Sequence, residues 1–205
     1  MKDIKVVKEQ ILNLLSNVQK PGMDKLIMYL VASDFFVAPA STKYHGNYDG
    51  GLAEHSLNVY ELLKEKNERF QLGLSEDTVV VTALLHDFCK INFYNKQTCW
   101  KKNDSNRWES YEGYKVQDDF PVGHGEKSVI MIQNFIRLTK QEILLIRWHM
   151  GNTEPKEMQM NLNNAWELFP AAVALHTADM EASYLLEQHI EPGQDSNQVK
   201  FSEVK

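Results

Sequence analysis

Five of the seven histidines in this sequence sit in otherwise apolar surroundings that read as helical, and two aspartates join them. They fall in five short stretches: Gly50-Gly51-Leu52-Ala53-Glu54-His55-Ser56-Leu57, Leu84-Leu85-His86-Asp87-Phe88-Cys89-Lys90, Gly123-His124-Gly125-Glu126-Lys127-Ser128, Trp148-His149-Met150-Gly151 and His176-Thr177-Ala178-Asp179. Singly, each histidine has an ordinary reading as a hydrogen-bonded structural residue. Burying so many ionisable groups together is costly unless a cation compensates them, so the pattern favours a fold that gathers these segments around metal.

The organisation between these stretches is helical. Ile4, Val7, Ile11, Leu14, Leu15 and Val18 recur at helical spacing until Pro21-Gly22 interrupts them. A second helix is expected from Met23 to about Phe36, and a third from Gly50-Gly51 to about Phe70. Ser75, followed by Glu76 and Asp77, starts a fourth that carries Val79 to Lys90. Thr139 and Glu142 form a capping box for a helix bearing Ile143, Ile146 and His149. Pro170 suits the first position of a last helix through about His189. Between Asn92 and Phe120 the helical period gives way to aromatic and polar residues around Asn103-Asp104-Ser105-Asn106, which reads as a β-hairpin. The expected fold is therefore all-α with a small hairpin insertion (residues 92–120) in one domain over residues 1–190, followed by a mobile tail over 191–205.

Composition narrows the function. The formal net charge of −6 argues against a protein that coats nucleic acid by bulk electrostatics. The hairpin region is the exception, because Lys90, Lys96, Lys101, Lys102, Arg107 and Lys115 outnumber Asp104, Glu109 and Glu112 there. The N-terminal residues lack the apolar run of a signal peptide or membrane span, and Cys89 and Cys99 read as reduced thiols, so a cytoplasmic protein with no membrane partner is expected.

Imidazole and carboxylate donors suit Mn, Fe, Co, Ni or Zn, whereas Mg prefers a more oxygen-rich site. One or two divalent ions are expected. On a helix, His86 and Asp87 lie about 100° apart and border one groove, with Asp87 a candidate bridging ligand. Lys90, three and four residues further on, shares their face and becomes a candidate to neutralise a phosphate oxygen, against the alternative of a salt bridge to Asp87. Gly123 and Gly125 flank His124 at a helix start that favours an anion, with Lys127 a candidate contact. His45 precedes the first of the five stretches and is a second candidate substrate contact. Tyr94, Trp100, Trp108, Tyr111 and Tyr114 alternate with the hairpin's cations, and Trp100 and Lys101 are candidates to hold a base and its phosphates. Glu54 and His176 are candidate orienting partners for the ligands, and Cys89 reads as a small buried hydrophobe.

The order His55, His86-Asp87, Asp179 resembles the HD superfamily, whose pattern is a first His, an adjacent His-Asp pair and a distant Asp. That resemblance extends over roughly residues 35–190. His124 and His149 resemble the additional histidines of binuclear members such as the HD-GYP phosphodiesterases, and Lys90 matches the lysine after their His-Asp pair, although no GYP tripeptide occurs. The stretch from Tyr44 to His55 resembles the HD domain of bacterial 3′-to-5′ exoribonucleases. The hairpin followed by Gly-His-Gly-Glu-Lys-Ser and Trp-His-Met-Gly segments is similar to compact bacterial and phage-associated HD proteins. The resemblance implies metal held by His55, His86, Asp87, His124, His149 and Asp179, and a metal-activated water attacking phosphorus. It further implies a phosphohydrolase acting on a small phosphate ester, with a nucleotide as the expected substrate. The alternatives are a 3′-to-5′ exonuclease acting on single-stranded nucleic acid, a cyclic-nucleotide phosphodiesterase, or a catalytically silent nucleotide-binding module.

Overall fold

The computed structural model describes residues 1–153 and 155–191, so the tail expected over 191–205 lies, from 192 on, outside the described residues. Helix α1 (Ile4–Ser16) begins at Asp3, whose side chain accepts from the Lys5 amide, and buries Val7, Ile11 and Leu15 at successive turns. Helix α2 (Met23–Ala32) stops short of the expected Phe36. Ser33 causes the break: its hydroxyl donates to the Leu30 carbonyl at 3.0 Å and accepts from the Phe35 amide at 3.3 Å, which replaces helical backbone pairing. Phe35 and Phe36 then both turn into the core, edge to face at 5.1 Å.

Helix α3 (Gly51–Phe70) runs through the middle of the molecule and packs against α1, α4 (Glu76–Leu85) and α8 (Ala171–Glu181). It follows Gly50, whose φ of +82° is a left-handed turn that glycine adopts without strain. Leu52, Leu57 and Leu63 from α3, Leu84 and Leu85 from α4, and Phe88 are fully buried, each contributing about 1.5–3 kcal/mol of apolar burial. Ser75 caps α4 by accepting from the Thr78 amide.

The expected helix through Lys90 ends earlier, at Leu85, with His86 as its C-cap. Asp87 takes φ −99° and ψ 25°, outside the helical well, and Phe88–Lys90 form a 3-10 turn. The Lys90 amide bonds the Asp87 carbonyl three residues back, at 2.9 Å. The chain then enters the hairpin β1 (Tyr94–Lys102) and β2 (Trp108–Val116), antiparallel with Tyr94 opposite Val116 and Lys102 opposite Trp108. Asn103 shapes the turn by accepting from the Ser105 and Arg107 amides. Asp49 ties the hairpin to the body through Lys96, at 2.7 Å, and the Tyr114 hydroxyl.

Helices α5 (His124–Ile132), α6 (Lys140–Arg147) and α7 (Gln159–Leu168) complete the second half, with α5 lying on α6 and on the 3-10 turn. The Thr139–Glu142 capping box forms as the sequence indicates, but α6 ends at Arg147, so His149 lies beyond it. Pro170 directly precedes α8, which passes into a π turn (Ala182–Leu186) instead of continuing to His189. Among the described residues no helix is long and apolar enough to cross a membrane.

A Cβ on Gly125 would fall 2.2 Å from the Arg147 carbonyl oxygen, so this glycine lets α5 press against the end of α6. Gly125→Ala is expected to cost about 1–3 kcal/mol, read as a lower urea midpoint with unchanged m-value. An unshifted midpoint would mean that the two helices are not held this close.

Candidate metal centre

Helix ends and helix faces deliver the ionisable residues to one buried point. His55 comes from the second turn of α3, His86 and Asp87 from the end of α4, His124 from the first position of α5, His149 from just past α6, and Asp179 from α8. His55, His86 and His149 are fully buried.

The two oxygens of Asp87 face two groups. On the Oδ2 side, His86 Nε2 lies at 3.4 Å and His55 Nε2 at 3.7 Å. The His55 and His86 Nε2 atoms are 3.1 Å apart, and Asp179 Oδ1 stands 3.2 Å from His55 Nε2. On the Oδ1 side, His124 Nε2 lies at 2.7 Å and His149 Nε2 at 3.5 Å. The sets His55–His86–Asp179 and His86–Asp87–His149 could each hold a cation.

Hydrogen bonds on the far side of three rings fix which nitrogen faces inward. His86 Nδ1 is 2.8 Å from the Ala83 carbonyl and His149 Nδ1 is 2.6 Å from the Ile146 carbonyl. A carbonyl only accepts, so both Nδ1 atoms carry the hydrogen, and in the neutral ring Nε2 presents its lone pair to the pocket. His55 Nδ1 meets Glu187 Oε1 at 2.9 Å to the same effect.

Glu187 is a partner of the candidate site that sequence reasoning misses. It follows Asp179 by eight residues, about 12 Å further along a regular α-helix, and the π turn that ends α8 leads it back to His55. The two candidate orienting partners, Glu54 and His176, make other contacts. Glu54 accepts from the Tyr48 hydroxyl at 3.0 Å and the Lys2 amide at 3.0 Å, and His176 Nδ1 bonds the His149 carbonyl at 2.7 Å.

Lys90 Nζ lies 2.6 Å from Asp87 Oδ2, forming the salt bridge raised as an alternative from the sequence. Burial would raise the Asp87 carboxyl, yet Lys90, His86 and His124 hold it well below the usual range. Burial would lower His55, but Glu187 and Asp179 push it up to about 10. The hydrogen bond to Asp87 likewise overcomes burial at His124 and raises it to about 9. His45 goes the other way: burial, aided by the positive charge of His55 and Lys90, lowers it to about 4. Its ring lies 5.0 Å from that of His55, and its buried Nε2 has no partner.

The remaining candidates stand farther out. Lys127 is buried, with Nζ 2.6 Å from Asp118 Oδ1 and over the Phe93 ring at 4.9 Å. Trp100 is 62% exposed on β1, and Lys101 Nζ is 3.4 Å from Glu109 across the hairpin. A cleft of about 460 Å³, lined in part by Thr42, Lys43, Trp100 and Tyr114, lies between the hairpin and the loop before α3.

Comparison with known proteins accords with this arrangement. Dihydroneopterin 2′,3′-cyclic phosphate phosphodiesterase of Methanocaldococcus jannaschii is 34% identical over 65 residues, which cover 29% of this chain and 26% of that protein. The 3′-5′ exoribonuclease YhaM of a Geobacillus species is 30% identical over 86 residues, 40% of this chain and 26% of that protein. The chain thus aligns with about a quarter of the length of either relative. No solved structure matches significantly. The HD domain family model covers residues 52–188, the span that holds every histidine and aspartate around Asp87, and the chain therefore belongs to the HD domain family.

Proposed function

We propose that this chain is a metal-dependent phosphohydrolase that cleaves a phosphate ester of a nucleotide, with His55, His86, Asp87, His124, His149 and Asp179 holding one or two divalent ions. The observation that carries the reading is the set of Nε2 atoms. Three buried imidazoles have Nδ1 committed outward, so their lone pairs converge beside two carboxylates. His149 Nε2 is buried without a hydrogen-bond partner, a cost that a cation would remove. The nitrogen and oxygen donors fit a borderline transition metal, and Asp87 has one oxygen for each group.

A bound divalent cation supplies water activation and neutralisation of phosphate charge. The chain's own groups do the rest. Lys90, kept protonated by Asp87 against its burial, holds positive charge at the edge of the pocket for a phosphate oxygen. His45, neutral at pH 7 and with Nε2 free, offers a hydrogen bond to the substrate beside His55. Trp100 and Lys101 extend the binding surface along the hairpin. Lys127, through Asp118, supports the segment leading into α5 and lies less directly in the substrate's path.

Mn²⁺ added to the protein is expected to give turnover of an aryl phosphate ester that chelation abolishes, and His86→Ala or Asp179→Asn should lower it by roughly 10²-fold or more. Full activity in both variants would overturn the reading.

Since His55 and His124 have values raised to about 10 and about 9, both carry a proton at pH 7 that a cation must displace. Zinc binding should therefore acidify a weakly buffered indicator solution, these two rings contributing roughly two protons per chain, less as the pH rises toward 9. Zinc binding at pH 7 without acidification would contradict this charge assignment.

If the hairpin holds the base, Trp100→Ala should raise KM for a nucleotide several-fold and leave an aryl phosphate unaffected. Equal effects on both substrates would assign Trp100 a structural role.

A further inference from the structure

Cys89 belongs to the 3-10 turn between Asp87 and Lys90 and is 3% exposed, which the sequence alone renders as a small apolar filler. Its sulfur, however, lies 3.4 Å from His124 Nδ1 and 3.5 Å from His124 Nε2. Donor atoms of Asp87, Cys89 and His124 all lie within 4.8 Å of one another. We propose that Cys89 is a thiolate ligand which, with Asp87 and His124, forms a site for a thiophilic divalent cation beside His149. The proposal rests on the reading of the pocket as a metal centre and assigns its two halves different metal preferences.

With sulfur about 2.3 Å and nitrogen about 2.0–2.1 Å from a tetrahedral ion, the two donors stand about 3.5 Å apart. Cys89 Sγ already lies at that distance from His124 Nε2, but it stands equally close to Nδ1 and so against the ring, which must turn to aim its lone pair at a shared ion. A nitrogen and a carboxylate oxygen on the same ion stand about 3.4 Å apart by the same geometry, and His149 Nε2 lies 3.5 Å from Asp87 Oδ1. That nitrogen is the independent sign of a missing partner: His149 is fully buried, its Nε2 makes no hydrogen bond, and it faces the oxygen that His124 shares. As the ring turns, His124 Nε2 and Asp87 Oδ1, now hydrogen-bonded at 2.7 Å, must also separate.

The sulfur is also held in register with His124 by the backbone. The Cys89 amide donates to the Ser128 hydroxyl at 3.1 Å, which ties the 3-10 turn to the helix that begins with His124. On ligation the thiol gives its proton to solvent and the sulfur binds as thiolate. Sulfur favours zinc, cobalt or iron over magnesium and manganese, while the His55–His86–Asp179 half offers nitrogen and oxygen alone.

Cobalt(II) titration of the full chain tests this without reference to turnover. A near-ultraviolet sulfur-to-cobalt charge-transfer band is expected, retained in Cys99→Ser and lost in Cys89→Ser and Cys89→Ala, while the visible cobalt bands persist. Zinc affinity should fall at least 10- to 100-fold in Cys89→Ala, with manganese binding unchanged. Visible cobalt bands in the wild-type protein without the charge-transfer band would overturn the cysteine assignment while leaving the metal centre intact. A band that vanishes with Cys99 instead of Cys89 would also overturn it. No cobalt absorption at all would overturn the metal reading itself. The wild-type spectrum decides the point even if a Cys89 variant fails to fold.

Discussion

Everything around Asp87 depends on a hydrogen bond made away from the pocket, from a histidine Nδ1 to a carbonyl at a helix C-terminus. The last carbonyls of a helix have no partner within it. At the ends of α4 and α6 a histidine side chain takes one of them, Ala83 for His86 and Ile146 for His149. One interaction thus stabilises the helix end, selects the tautomer and aims Nε2 inward. Both helices stop beside these rings, α4 where Asp87 leaves the helical well and α6 at Trp148.

The third ring is oriented by a carboxylate, and that carboxylate is itself held by distant parts of the chain. Glu187 follows the π turn and accepts from both His55 and the Asn58 amide nitrogen. The segment after it is clasped by the loop before α3: the Gly46 amide bonds the Gln188 carbonyl at 3.1 Å, and Asn47 pairs twice with the backbone of Ile190. The loop that carries His45 and the segment that carries Glu187 therefore form one wall of the pocket. This wall meets His55 from the side opposite His86.

Charge makes the pocket dependent on a counter-ion. Asp87, Asp179 and Glu187 are all held below their own usual values, against the effect of burial. The positive charge that holds them there comes from Lys90 and from protons on His55 and His124. Those protons occupy the nitrogens that would hold a cation, so proton and metal compete for the same electrons. Lys90 differs because its charge does not depend on those nitrogens, and its ammonium remains beside Asp87 as the local fixed charge.

The sequence by itself determined the helical class, the hairpin and the capping box at Thr139, which follow from periodicity and turn chemistry written in residue types and spacings. The cost of burying ionisable groups pointed to a gathering of histidines and aspartates, and the resemblance to the HD superfamily narrowed it to His55, His86, Asp87, His124, His149 and Asp179. The tertiary structure alone decided where helices stop and what each side chain meets. Ser33 ended α2, Asp87 left the helix, and the π turn brought Glu187 to His55, because such choices rest on hydrogen bonds between residues far apart in the chain. Glu54 and His176 found partners other than the expected ones for the same reason. Cys89 shows the limit most clearly: its residue type suits an apolar core, and only the packing of α5 on the 3-10 turn puts its sulfur against His124.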